Sequence, residues 1–373
     1  MLKRLGKIGK WFGIVVFALI GVLTAIVLWT DHDMTAAESY VKDPSLETIK
    51  PGWPGTPIDS RGRFVNVQYP FIGKTADLLR WTLSRNPYAE KKLADTERLP
   101  VKDPKEFLAG NGDGILWLGH ASFFIRLNGV SMLLDPVFGQ PAYIKEYVSV
   151  VSPLDQIKNV DLILLSHDHR DHTDEPTLKA IANRFPNAVF LGGLGMDDLF
   201  NDWKTPSNGV STAGWYQKFD HRSGKVEIFF VPVRHWSRRG LFDTNRRLWG
   251  GYVIRSDKTS IYFGGDSGYG DHYSEVGSIF PQIDYFLIGI GAYEPRWFME
   301  PNHNSPIDAI KAFKDIGAKN LVPMHYGRFD LSDEPPNEPI RALRLEAEKA
   351  GLTDKLKVIT INEHISTDGG AAK

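Results

Sequence analysis

The stretch Ser166 to His172 reads SHDHRDH. It places three histidines and two aspartates in six consecutive positions, directly after the apolar run Asp161 to Leu165. In an extended loop, residues two apart point to one side, so His167 and His169 can offer imidazoles to one cation while Asp171 and His172 reach a second. Zinc and similar borderline ions accept imidazole nitrogen and carboxylate oxygen. The chain has no cysteine, which removes disulfides, thiolate metal sites and a cysteine nucleophile. Two cations need more donors than this loop holds. His235 ends the apolar run Ile228 to Val233, Asp266 follows IYFGG at 261–265, and His325 follows LVPM at 321–324. Each sits where a strand ends. The two glycines before Asp266 let the backbone approach a ligand closely, and a carboxylate there is suited to bridging both cations.

Around these seven stand residues with weaker signals. Asp135, at the end of Ser131 to Leu134, is a candidate to support a metal-bound imidazole, with an Asp-Pro turn cap as the alternative. Asp168 either does the same or faces water. His303, in PNHNSP, is a candidate for gripping an anionic oxygen, and the alternative is a cap on the helix beginning at Pro306. His120 is a second candidate of the same kind. Arg296 and Trp297, followed by Phe298, are candidates to line a pocket for a lipid headgroup and chain, against plain core packing.

Positioning these groups requires a set of strands and helices. Short apolar, β-branched runs predict strands at Ile115 to Leu118, Ser122 to Leu127, Ser131 to Leu134 and Val160 to Leu165. A helix is predicted near Pro176 to Asn183 and a strand at Ala188 to Leu191. Further strands follow at Val226 to Val233, Gly251 to Arg255, Ile261 to Phe263 and Tyr285 to Ile288. A helix at Pro306 to Ile316 and a strand at Asn320 to Pro323 close the series. Two groups of strands with helices outside them predict an α/β (α+β) architecture, a four-layer αββα sandwich.

Before this domain, assigned to residues 111–373, lies an arm at 34–110 that is rich in proline and charge, with a short helix expected at Thr75 to Leu83. Trp53, Tyr69, Phe71 and Trp81 of the arm are expected to pack onto the domain. Residues 1–33 differ again. Trp11 to Thr30 contains no charged residue and, at helical rise, is long enough to cross a hydrocarbon core of roughly 30 Å. It is read as one transmembrane helix, and the competing reading is a cleaved signal peptide ending near Thr35 to Ala37. Lys3, Arg4, Lys7 and Lys10 precede it, whereas Asp31 and Asp33 follow. The positive-inside rule therefore leaves the N-terminus cytoplasmic and exports the domain, a layout that suits a bacterial inner membrane facing the periplasm.

The strings SHDHRDH, GGDSG and PMHYG, in this order, resemble the metallo-β-lactamase superfamily over roughly Gly114 to Ile365. Within it, LGHASFFI at Leu118 to Ile125, LLDPVF at Leu133 to Phe138, HWSRRG at His235 to Gly240 and GAYEPRWFM at Gly291 to Met299 are similar to the N-acylphosphatidylethanolamine-hydrolysing phospholipase D family. That resemblance implies two zinc ions: His167, His169 and His235 on one, Asp171, His172 and His325 on the other, and Asp266 bridging both. It also implies cleavage of a phospholipid to phosphatidic acid and an N-acylethanolamine. A pair of ions would hold a hydroxide as the nucleophile, and Asp266 or a metal-bound water would protonate the leaving group. A lactonase or other carbonyl hydrolase, or a non-catalytic binding protein of the same fold, are the alternatives.

Composition narrows the partners. With 44 Lys and Arg against 45 Asp and Glu, the 373-residue chain has no broad basic field for a phosphate polymer, so nucleic acid is not expected as a partner. A phospholipid or other small ester, and the membrane itself, are.

Overall fold

The computed structural model describes residues 36–71, 75–205, 209–221 and 224–367, together with Gly21. Apart from Gly21, the apolar run 11–30 lies outside the described residues. Among those described, no helix is long and apolar enough to cross a membrane.

In the arm, β1 (Ser39–Val41) pairs with β3 (Thr56–Ile58), and β2 (Glu47–Thr48) lies between them in sequence. Three helices follow: α1 (Thr75–Leu83), α2 (Ala89–Ala94) and α3 (Lys105–Ala109). The first half of the domain runs β4 (Gly114–Gly119), β5 (Ser122–Leu127), β6 (Val130–Leu134), β7 (Lys145–Glu146), β8 (Leu162–Leu164), α4 (Glu175–Arg184), β9 (Val189–Gly193), α5 (Asp197–Trp203) and β10 (Val210–Ala213). The second half begins with β11 (Gln217–Lys218), β12 (Glu227–Val231), β13 (Gly251–Arg255), β14 (Ser260–Phe263) and α6 (His272–Ile279). It continues through β15 (Tyr285–Gly289), α7 (Arg296–Met299), α8 (Pro306–Ile316), β16 (Asn320–Met324), β17 (Phe329–Asp330), α9 (Glu338–Lys349) and β18 (His364–Ser366).

Fourteen of the described strands form two seven-stranded sheets, ordered β10-β9-β8-β6-β5-β4-β18 and β16-β15-β14-β13-β12-β11-β2, while β1 with β3 and β7 with β17 make two small pairs. The alternation of side chains along a strand decides what each face buries. Trp117, Phe123, Ile125 and Met132 of the first sheet meet Phe230, Tyr252 and Phe263 of the second in the central core. Their neighbours Leu116, Leu118, Phe124 and Leu133 point outward and are covered by Leu178 and Ile181 of α4 and Phe200 of α5. Both faces are buried, which is why these strands read as continuous apolar runs. On the far side, Ala309 and Phe313 of α8 join the core, and α8 packs against α6 and α9. The result is the mixed α/β sandwich of helix, sheet, sheet and helix.

The arm is stitched to this domain. β2 adds an edge strand beside β11, Phe71 stacks on Trp236 with ring centroids 4.5 Å apart, and the Trp81 indole donates to Asp333 at 3.1 Å. Trp53 meets the Tyr216 ring edge-on at 4.8 Å, and the Tyr69 hydroxyl accepts from the backbone N–H of Asp271. Strands β6 and β8 are parallel neighbours, as are β14, β15 and β16. Their C-terminal ends therefore open on the same rim, where sites of α/β sheets gather.

Candidate metal centre

Each candidate donor leaves the rim at the end of a strand. His167 to His172 form the loop between β8 and α4, and Asp174 ends that loop by accepting the Thr177 N–H as the cap of α4. His235 follows β12, Asp266 follows β14 and His325 follows β16. Two backbone features make the convergence possible. Gly265 has φ 55°, and a Cβ there would lie 2.9 Å from the Ser166 Cβ, so only glycine lets the Asp266 loop approach the histidine loop. A Cβ on Gly291 would meet the His325 carbonyl oxygen at 2.2 Å.

The donors gather in two groups. In the first, His169 Nδ1 lies 2.9 Å from His167 Nε2 and 3.2 Å from His235 Nε2. In the second, Asp171 Oδ2 lies 3.5 Å from His172 Nε2 and 3.6 Å from His325 Nε2. Asp266 stands between them. Its Oδ2 is 3.1 Å from His172 Nε2 and 3.9–4.0 Å from His235 and His167, while its Oδ1 is 3.1 Å from His325 Nε2.

What lies behind the histidines fixes which nitrogen faces the centre. His172 Nδ1 donates to Asp135 Oδ2 at 2.7 Å, and His235 Nδ1 donates to the Asn302 carbonyl at 3.1 Å. The Ser166 hydroxyl donates to Asp135 Oδ2 at 2.6 Å, so its oxygen is left to accept from His167 Nδ1 at 2.9 Å. In all three rings Nδ1 carries a proton and Nε2 is turned inward, the orientation a ligating imidazole requires. Asp135 also accepts the Ser166 backbone N–H, so it is more than a turn cap.

The electrostatics differ between the groups. Burial, reinforced by neighbouring imidazoles, holds His167 and His235 well below the ordinary histidine value, and burial brings His169 down to about 4. These rings are neutral at pH 7 and keep their lone pairs. Burial pushes the Asp171 and Asp266 carboxyls up, but the surrounding imidazoles together outweigh it, His172 with His120 and His325 at Asp171 and His172 with His325 at Asp266, and hold both well below the usual carboxylate range. For His172 and His325 burial opposes ionisation, yet the Asp266 and Asp171 carboxylates lift both, His325 to about 9. The second group thus sets two carboxylates against two imidazoles that they lift toward the charged form, whereas the first group holds neutral rings.

The residues suit a cation on two further counts. Asp266 Oδ1, His172 Nε2 and both ring nitrogens of His325 are buried with no hydrogen-bond partner, an arrangement that costs about 1–3 kcal/mol per group unless something engages them. All donors are nitrogen or carboxylate oxygen, the set that a borderline divalent ion takes.

The remaining sequence candidates fall in different places. His303 Nδ1 lies 3.8 Å from Asp266 Oδ2, with its side chain 16% exposed, beside the cluster. His120 is only 1% exposed and lies against the second group, with Nε2 2.9 Å from Asp171 Oδ2. Burial holds its ring near 3, which makes this contact a hydrogen bond from a neutral imidazole. Asp168 does not face water: it is fully buried and paired with Arg247 Nη1 at 3.0 Å. Arg296 is engaged by Asp308 at 2.9 Å, and the Arg80 guanidinium of α1 covers the Trp297 ring at 4.2 Å. Neither lines the cleft beside the donors, because α7 faces the arm helix α1.

That cleft, of about 420 Å³, is walled by Ile144, Trp236 and Leu241, with His169, Asp171, Arg170 and Arg238 also on its surface. Sequence reading missed Ser166, Trp236, Arg239 and Arg247. Arg239 Nη1 donates to the carbonyls of Asp168 and Thr173 and so pins the donor loop to the loop after His235. The string HWSRRG carried part of this signal, but nothing in it says which carbonyls an arginine will meet.

Comparison with known proteins agrees with the geometry. Residues 131–326 match the β-lactamase superfamily domain. The chain is 32% identical over 268 residues to N-acyl-phosphatidylethanolamine-hydrolyzing phospholipase D 1 of Caenorhabditis elegans, covering 68% of this chain and 75% of that one. It is 30% identical to a metal-dependent hydrolase of Caldivirga maquilingensis, over 60% of this chain and 86% of the relative. Among solved structures, a metallo-hydrolase of the archaeon Ignicoccus hospitalis superposes with a TM-score of 0.53 at 22% identity, covering 68% of this chain and 97% of that one. The chain therefore belongs to the metallo-β-lactamase superfamily, and it is a metal-dependent hydrolase of that fold.

Proposed function

We propose that the protein is a binuclear zinc phosphodiesterase of the phospholipase D type, acting on N-acylphosphatidylethanolamine-like lipids. The observation that carries this reading is Asp266 lying within 4.0 Å of His167, His235, His172 and His325, combined with similarity to a relative named for that activity. His167, His169 and His235 would hold one ion, Asp171, His172 and His325 the other, and Asp266 would touch both. When bound, such a pair supplies Lewis acidity toward a phosphoryl oxygen and a water acidic enough to ionise near neutral pH.

The chain's own residues do the rest. Arg170 and Arg238, at the cleft, offer positive charge to a phosphodiester, while Ile144, Trp236 and Leu241 offer apolar wall to its chains. His303 Nδ1, 3.8 Å from Asp266 Oδ2, stands beside the centre, where it would pass on the proton that the departing alkoxide takes up. A tether through the charge-free run 11–30, with the basic N-terminus on the cytoplasmic side, would keep the cleft close to exported lipid.

The test uses the full chain in detergent micelles, wild type beside Asp266→Ala, incubated with N-acylphosphatidylethanolamine. Expected is release of phosphatidic acid and N-acylethanolamine by wild type alone, lost on chelation and restored by zinc. Two bound zinc ions without any phospholipid cleavage would overturn the substrate and send the search to lactones and other carbonyl esters.

A further inference from the structure

Gly119 and His120 leave β4 with φ 94° and 55°. For histidine this left-handed conformation is unfavourable and persists only where the surroundings over-determine it. Here they do. The His120 carbonyl accepts two donors, the Trp117 indole N–H at 2.9 Å and the His325 backbone N–H at 3.0 Å. Its ring Nε2 reaches Asp171 Oδ2 at 2.9 Å. Its ring centroid lies 4.0 Å from that of His325 and 5.4 Å from that of His172. A carboxylate can only accept, so His120 Nε2 must carry the proton and donate it. One residue thus grips the side chain of one donor of the second group, the backbone of another, and packs against the third.

We infer that His120 is a positioning residue for the second donor group, fixing Asp171 through its ring and His325 through its carbonyl. Affinity for the second cation then depends on His120 and affinity for the first does not. This rests on the two-ion reading given above. The ring and the carbonyl are separable. Asparagine tolerates the left-handed backbone and keeps the carbonyl's two bonds, but its side chain is too short to reach Asp171. Glutamine carries an amide nitrogen as many bonds from Cα as His120 Nε2, and it donates.

The experiment titrates full-length, metal-stripped wild type, His120→Asn and His120→Gln with zinc against a chromophoric chelator, and records urea midpoints alongside. Expected is a second-ion affinity on the order of 10–100-fold weaker in His120→Asn, with the first ion unchanged, and recovery toward wild type in His120→Gln. Equal weakening of both ions in step with a fallen urea midpoint would reduce His120 to a fold residue. Unchanged binding of both in His120→Asn, or no recovery in His120→Gln, would overturn the role of the ring. A wild type that takes up fewer than two ions would instead sink the two-ion reading, and this inference with it.

Discussion

The two donor groups are built on opposite principles. The first is three imidazoles, His167, His169 and His235, each neutral and two of them steadied by uncharged oxygens, the Ser166 hydroxyl and the Asn302 carbonyl. The second is buried and charged: Asp171, His172 and His325 are backed by His120 and by the fully enclosed Asp135 carboxylate. A neutral trio takes up a cation without having to shed a proton at neutral pH. A buried, carboxylate-bearing set holds its cation by charge and depends on every partner behind it, because an unpaired charge in a dry interior is costly. The difference implies that damage behind the donors affects the second cation more than the first.

Removing what the groups share has the largest expected effect. Asp266→Ala takes away the carboxylate facing both groups, and hydrolysis should fall by at least about a thousandfold, read as kcat/KM on a water-soluble phosphodiester. Asp135→Asn is expected to weaken the second ion by roughly 10–100-fold and the first far less, measured by competition with a metal chelator. Equal losses would erase the contrast between the groups. Ser166→Ala reverses the order: His167 Nδ1 loses its acceptor, so the first ion should suffer more, by up to about tenfold.

The smallest effect lies away from both groups. Burial pushes the Asp95 carboxyl up, but hydrogen bonds from Arg341 and Asn337 outweigh it and lower it from 3.8. A carboxyl lowered on folding stabilises above its ordinary value and loses that contribution as pH falls through the folded one. Because Arg341 is half-exposed, Arg341→Ala should cost less than about 1 kcal/mol at neutral pH by urea unfolding. The difference from wild type should vanish in acid, and metal content should not change.

Much of this is legible in the amino-acid order. The long buried strands, such as β5 and β13, appear as apolar runs because both of their faces are covered, and α8 runs from Pro306 to Ile316 as its pattern predicts. The seven donors stand out because each follows such a run. The support behind them does not. Asp135 and His172 meet only because β6 and β8 are parallel neighbours, and no local pattern announces that register. Asp168 looks like a surface residue between two histidines until Arg247, far along the chain, is seen to pair with it. Two-residue strands such as β2 and β11 are too short to show a period, and nothing local announces that Arg296 pairs with Asp308 of α8 or that Arg80 of the arm covers Trp297.

The order of strands at the sheet edges has a consequence for how the protein is made. The first sheet is closed by β18, a strand from residues 364–366 paired with β4, while the second is closed by β2 from residues 47–48 paired with β11. Each half is buckled by a strand from the other end of the described chain. During synthesis β4 waits with one edge bare until β18 emerges, a state in which unpaired N–H and C=O groups invite wrong partners. The seam between the halves is where the donors meet, and its last donor, His325, follows β16 only late in the chain.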